Sequence, residues 1–231
     1  AKAMAVTGLA TIGRDLFGVF PLRGKLLNTR DISVAKLTKN EEIQNVMKIM
    51  ALKPGKKYDD DESMKELRYG SIMIMADQDQ DGSHIKGLII NFIHSMWPSL
   101  IKRPGFLCEF ITPIVKVSMK KKDTLSFYTL PEFIAWKKDH NEGKGYDIKY
   151  YKGLATSDDD ETKEYFSNIK RHKINFRYQG ESDEERIQLA FSKKRADDRK
   201  EWLADLDPMT TYLGQDTPSI TYTDFVDKEL I

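Results

Sequence analysis

The feature that most constrains this chain is the run IMIMADQDQDGSHIKGLIINFIHSMW, residues 72–97. An apolar run, Ile72 to Ala76, has the length of a buried strand. It is followed by aspartates at alternate positions, Asp77, Asp79 and Asp81, and then by a glycine. Beyond them Ile85, Leu88, Ile89, Phe92, Ile93, Met96 and Trp97 recur at helical spacing, which predicts an amphipathic helix with Asp81 or Ser83 as its N-cap. Strand, turn and helix in that order are the building unit of an α/β fold with parallel strands. In such folds ligands sit outside the carboxyl ends of the strands, where these aspartates fall.

Three carboxylates so close together repel one another unless positive charge sits among them. D-x-D-x-D-G matches the opening of an EF-hand, but the twelfth position, which should be a bidentate glutamate, is Leu88, and a strand stands where the first helix belongs. An aspartyl phosphotransferase of the D-x-D-x-T kind fits only in part, because the fifth position is Asp81. A Mg²⁺ site fits better. Magnesium takes oxygen donors, keeps several waters and uses one or two protein carboxylates. In an extended segment alternate side chains share a face, so Asp77 and Asp79 are expected to converge. The remaining reading is a solvated acidic turn that only caps the helix.

The rest of the chain supports the same class. Residues 1–10 predict a short helix ended by Gly13; LFGVFPL, 16–22, predicts a strand; NEEIQNVMKIMAL, 40–52, predicts a helix stopped by Pro54 and Gly55. FLCEFITPIVKVS, 106–118, predicts one or two strands and TLSFYTL, 124–130, another. From about residue 158 the pattern is charged and helical. Net charge is only +1 over 231 residues, yet residues 1–58 hold eleven Lys/Arg against four Asp/Glu. That basic segment suits a polyanion. The single cysteine, Cys108, excludes an internal disulfide and favours a reducing, intracellular setting. No apolar segment reaches the roughly 20 residues of a membrane span. The chain opens on AKAMAVTGLATIG and closes on TDFVDKELI; both ends are expected to be cuts through a longer polypeptide.

IMADQDQDGSHIKGLIINFIH resembles the acidic motif of the TOPRIM domain in eukaryotic type IIA DNA topoisomerases. GRDLFGVFPLRGKLLN (13–28), GFLCEFITPIVKV (105–117), KYYKGLATS (149–157), EYFSNIKRH (164–172), LAFSKKRADDRKEWL (189–203) and DFVDKELI (224–231) resemble further segments of those enzymes, in the same order. The resemblance implies a Rossmann-like TOPRIM core, a parallel sheet flanked by helices, followed by a mixed and helical extension. The expected division is a metal-binding domain over 1–115, a strand-rich extension over 116–157, and a charged helical segment over 158–231 leading toward a winged-helix domain.

The resemblance also implies roles. Asp77 and Asp79 would be the main Mg²⁺ ligands and Asp81 a supporting one, with Mn²⁺ or Ca²⁺ able to substitute. The family's catalytic glutamate precedes the point where this chain begins. Arg23, Lys25 and Asn28 in PLRGKLLN, Lys152 in YYKGLATS, and Arg199 with Lys200 in ADDRKEW match positions that contact double-stranded DNA; His84 is a possible supporting residue. His94, His140 and His172 show no ligand spacing. The parent enzyme is a nuclear homodimer that breaks and reseals DNA using ATP, through a tyrosine in the partner subunit's winged-helix domain. None of the ten tyrosines here has that R-Y-T context, Tyr178 being followed by glutamine, and there is no phosphate-loop motif. The chain alone is therefore expected to be inactive. Two departures stand out. Ala76 replaces a threonine, and Ala155 replaces a glycine, which would strain the turn if φ there were positive. A free-standing TOPRIM nuclease or phosphotransferase and a cation-binding structural module are the alternatives.

Overall fold

The computed structural model describes residues 1–119, 124–205 and 218–230. The expected strand-rich and helical extensions thus each contain a stretch, 120–123 and 206–217, outside the described residues. Eleven α-helices and seven strands follow one another among those described. They begin with α1 (Lys2–Ile12), α2 (Val34–Lys39), α3 (Glu41–Met50), α4 (Asp61–Lys65), β1 (Ile72–Met75), α5 (Gln80–Met96) and α6 (Pro98–Ile101). Next come β2 (Leu107–Phe110), β3 (Val115–Ser118), β4 (Leu125–Phe127), α7 (Leu130–Asp139) and β5 (Asp147–Tyr150). The last are α8 (Asp159–Ser167), β6 (Lys173–Arg177), α9 (Glu181–Phe191), α10 (Ala196–Ala204), β7 (Ser219–Thr221) and α11 (Tyr222–Lys228).

The protein is α/β. The main sheet has the order β1-β2-β6-β7. β1 and β2 pair in parallel from Ile72↔Leu107 to Met75↔Phe110, with α5 and α6 supplying the long crossover that parallel neighbours need. β6 joins antiparallel to β2, and β7 parallel to β6. The sheet is therefore mixed, and two of its strands, β6 and β7, come from the segment whose charge pattern predicts only helices. INFR and SIT were hidden there by their shortness. A second sheet, β4-β3-β5, is antiparallel throughout.

α5 is the axis of the core. Leu88, Ile90, Phe92 and Ile93 are buried in one cluster with Ile43, Tyr58, Ile74, Phe106, Leu107 and Phe225. Trp97, at its C-terminal end, packs edge-on against Phe92 at 5.5 Å and donates its indole N–H to the Lys53 carbonyl at 2.8 Å. α3 runs as predicted from its cap, Asn40, whose side chain accepts from the Ile43 amide at 3.0 Å. It ends at Met50 because Ala51 turns left-handed at φ 61°, three residues before Pro54. α1 ends at Gly13 as expected and packs on α8 through Met4, Tyr165 and Phe166.

The predicted strand over 16–22 does not form. The segment is irregular, with Leu16 81% exposed. β-propensity without a sheet edge to pair with gives no strand, and Pro21 and Gly24 break what pattern there is.

Candidate metal and nucleic-acid site

The acidic turn begins two residues past the end of β1 and runs into α5. Its three aspartates do different work. The Asp79 carboxylate is the N-cap of α5, accepting from the Gly82 amide at 2.8 Å. The predicted caps, Asp81 and Ser83, lie instead inside the first turn. Asp77 reaches the other way and accepts from the Leu154 amide at 2.7 Å. Asp81 pairs with Lys25 at 2.8 Å. That lysine, by hydrogen bond and by charge, holds the Asp81 carboxyl below the usual carboxylate range. Lys25 thus supplies positive charge to Asp81, while Asp77 and Asp79 meet backbone amides.

Two glycines make this possible by close approach. A Cβ on Gly82 would lie 1.9 Å from the Asp77 carbonyl oxygen, so only glycine lets the turn close. A Cβ on Gly153 would lie 2.8 Å from Asp77 Oδ1. Gly153 itself is extended, φ 171°, and any residue could adopt its backbone.

All three carboxylates are exposed, and one oxygen of each takes no hydrogen bond among the described residues. The helix begins at Gln80, so Asp81 stands in its first turn, paired with Lys25, rather than in an extended run with Asp77 and Asp79. Among the described residues no three His, Cys, Asp or Glu side chains are gathered as a metal cluster. The donor chemistry nevertheless fits a hydrated hard cation, which binds through one or two carboxylates and its own waters.

The predicted DNA-contacting residues divide into two kinds. Arg23, Lys25, Lys152 and Lys200 are exposed; Lys200 shares a surface ion pair with Asp197 at 2.8 Å. Asn28 and Arg199 are engaged inside the protein. The Asn28 amide donates to the Phe191 carbonyl at 2.9 Å, and its oxygen accepts from Asn91 and from the Arg30 amide. The Arg199 guanidinium donates to the carbonyls of Leu189 (2.9 Å) and Ser192. Both side chains therefore close the C-terminal end of α9. His84 is exposed beside the turn; partial burial and Lys25 lower its pKa. Ala155 has no positive φ and lies in a 3₁₀ turn, Leu154–Thr156. The expected strain at that substitution is absent.

Helical periodicity gave no sign of the polar groups buried on α5. Lys86, fully buried, meets Glu109 of β2 at 2.6 Å and Glu229, just past α11, at 2.5 Å. Burial would depress Lys86, but the two carboxylates outweigh it and hold the ammonium charged. Burial pushes Glu109 up to about 7, against the pull of Lys86. One turn further on, Arg30 donates to the Asn91 side chain at 3.0 Å and lies 2.7 Å from His94 Nδ1. Burial and that guanidinium lower His94 to about 4. A buried lysine inside an apolar stripe was the one available clue.

Comparison with known proteins agrees with this architecture. The family model of the Toprim domain matches residues 1–113, and that of the C-terminal associated domain of TOPRIM matches 110–231. DNA topoisomerase 2-beta of Homo sapiens is 57% identical over all of this chain, which spans 15% of that protein. DNA topoisomerase 2-alpha of Rattus norvegicus is 55% identical, again over the whole chain and 16% of the relative. The solved DNA-binding, cleavage and re-ligation domain of Plasmodium falciparum topoisomerase II superposes with a TM-score of 0.94 at 54% identity, over all of this chain and 31% of that one. A Toprim match in the first half, its associated domain in the second, and similarity along the whole of this chain to a stretch of these much longer enzymes lead to one conclusion: the chain belongs to the TOPRIM family of eukaryotic type II DNA topoisomerases.

Proposed function

We propose that this chain supplies the metal-binding and part of the DNA-contacting surface of the cleavage and religation core of an ATP-dependent type II topoisomerase. The observation that carries this reading is the acidic turn at the end of β1. Asp77 and Asp79 are each fixed by one backbone amide through one carboxylate oxygen and keep the other for a ligand. Mg²⁺ held there would act as a Lewis acid on phosphate oxygens. Asp77 and Asp79 are the ligands, with Asp81 in support; Mn²⁺ and Ca²⁺ satisfy the same donors.

The chain's own residues orient the reaction. The Leu154 amide and the Gly82 amide aim the two carboxylates. Arg23, Lys25, Lys152 and Lys200 neutralise backbone phosphates, which positions duplex DNA without reading its sequence. Lys25, exposed and paired with Asp81, would also meet a phosphate bound beside the acidic turn. Asn28 and Arg199 act indirectly, by holding the α9–α10 corner on which Lys200 is carried. The nucleophilic tyrosine of this family belongs to the winged-helix domain of a partner subunit, so the working assembly is a nuclear homodimer.

Duplex binding followed by fluorescence anisotropy, with and without Mg²⁺, tests the reading. Affinity rises with Mg²⁺ and falls several-fold in Lys25→Ala. Binding that is indifferent to Mg²⁺ and to Lys25 would contradict it and favour a structural module.

A further inference from the structure

Gln78 lies between Asp77 and Asp79, and alternation sends its side chain away from theirs. Its Nε2 is fully buried and finds no hydrogen-bond partner among the described residues. It lines a pocket of about 10 Å³ whose other walls are residues 112–114 and 151–153. Those walls are the two sides of a clamp. The Tyr151 amide donates to the Ile114 carbonyl at 2.9 Å, and three residues later the Leu154 amide donates to Asp77. Between these two fixed points the loop carries Lys152 and Gly153 past the pocket, and Gly153 sits directly against the Asp77 carboxylate.

A buried amide left without a partner costs about 1–3 kcal/mol, so this donor requires an acceptor. The pocket has room for one water, and its walls include polar groups, such as Thr112 and the backbone of 151–153, able to complete that water's bonds. We propose that Gln78 is a positioning residue for the metal site: through one water in this pocket it ties the 151–153 loop to the acidic turn, fixing Asp77 on one side and Lys152 on the other. The inference rests on the metal reading above for its consequence, but its structural half stands separately. Groups that orient a ligand from behind typically alter metal affinity by 10–100-fold when removed.

Two variants and two readouts test it. Gln78→Met keeps the length and removes both amide atoms; Gln78→Glu keeps a polar tip that can still bond the water. The readouts are Mg²⁺ affinity by calorimetry and hydrogen exchange of the Leu154 amide, with urea unfolding as the control for global stability. In Gln78→Met, Mg²⁺ affinity falls about tenfold and Leu154 exchanges faster, while the unfolding midpoint moves little. In Gln78→Glu, Leu154 protection is retained. The proposal is overturned if Gln78→Met leaves both readouts at wild-type values. It is equally overturned if both variants lose Leu154 protection in step with global stability, which would be a packing effect. If the wild-type chain binds no Mg²⁺, the metal reading fails, and Leu154 exchange still decides whether Gln78 holds the loop.

Discussion

Two aspartates of the acidic turn, Asp77 and Asp79, owe their positions to neighbouring glycines. Gly82 carries the most direct prediction. Gly82→Ala would force its Cβ into the Asp77 carbonyl, so the first turn of α5 must shift. Urea unfolding should show a loss of about 1–3 kcal/mol, the usual cost of overpacking, and calorimetry should show no Mg²⁺ binding. Gly153→Ala should behave differently. Its backbone is unstrained and its new Cβ comes nearest to the Asp77 carboxylate, a side chain that can move, so stability is kept while Mg²⁺ affinity falls several-fold. The same distinction separates the cations. Arg199→Ala removes two carbonyl partners at the end of α9 and should lower the melting temperature. Lys200→Ala should leave it unchanged and weaken DNA binding alone. The sequence named Arg199 and Lys200 together because a motif records residue types. It cannot record that one side chain folds inward to unsatisfied carbonyls while its neighbour points to solvent.

The decisive element is α5, which begins at the metal turn and is buried along most of its length. Its apolar stripe was legible because burial imposes a period on the sequence. Its polar partners were not, because Glu109 and Glu229 come from β2 and from beyond α11, far away in the chain. Lys86→Met should cost about 3–5 kcal/mol, the penalty for leaving a buried carboxylate without its countercharge. The double variant Lys86→Met, Glu109→Leu should recover most of it. Glu109 also gives a pH dependence. Its folded pKa, raised to about 7, stands above the roughly 4.3 of an unfolded glutamate. Its contribution to stability is therefore present below about pH 4 and lost as pH rises toward 7, because the unfolded chain gives up this proton first. Urea unfolding between about pH 4 and 7 should show this part of the stability falling with pH, and Glu109→Gln should flatten that part of the profile. The element the sequence misassigned, 16–22, had the right residues for a strand but no strand beside it.

At the scale of the molecule, the α/β class and the strand–turn–helix unit followed from hydrophobic period alone. The mixed character of the sheet did not, since β6 and β7 are short and come from the charged C-terminal third, β6 pairing with β2 and β7 with β6. The charge asymmetry was legible and has a consequence for DNA. Binding should weaken with salt along a log–log slope of about −0.9 per phosphate contacted, and removing Lys200 should make that slope shallower by about one contact. The central claim, however, is that the acidic turn is a metal site. A calorimetric titration of this chain with Mg²⁺, beside an Asp77→Asn, Asp79→Asn double variant, tests it most directly. Mg²⁺ binding that disappears in the double variant, with the melting temperature of the variant close to wild type, is the predicted result. Equal Mg²⁺ affinity in the two proteins would place the ion elsewhere and reduce the acidic turn to the cap of a helix.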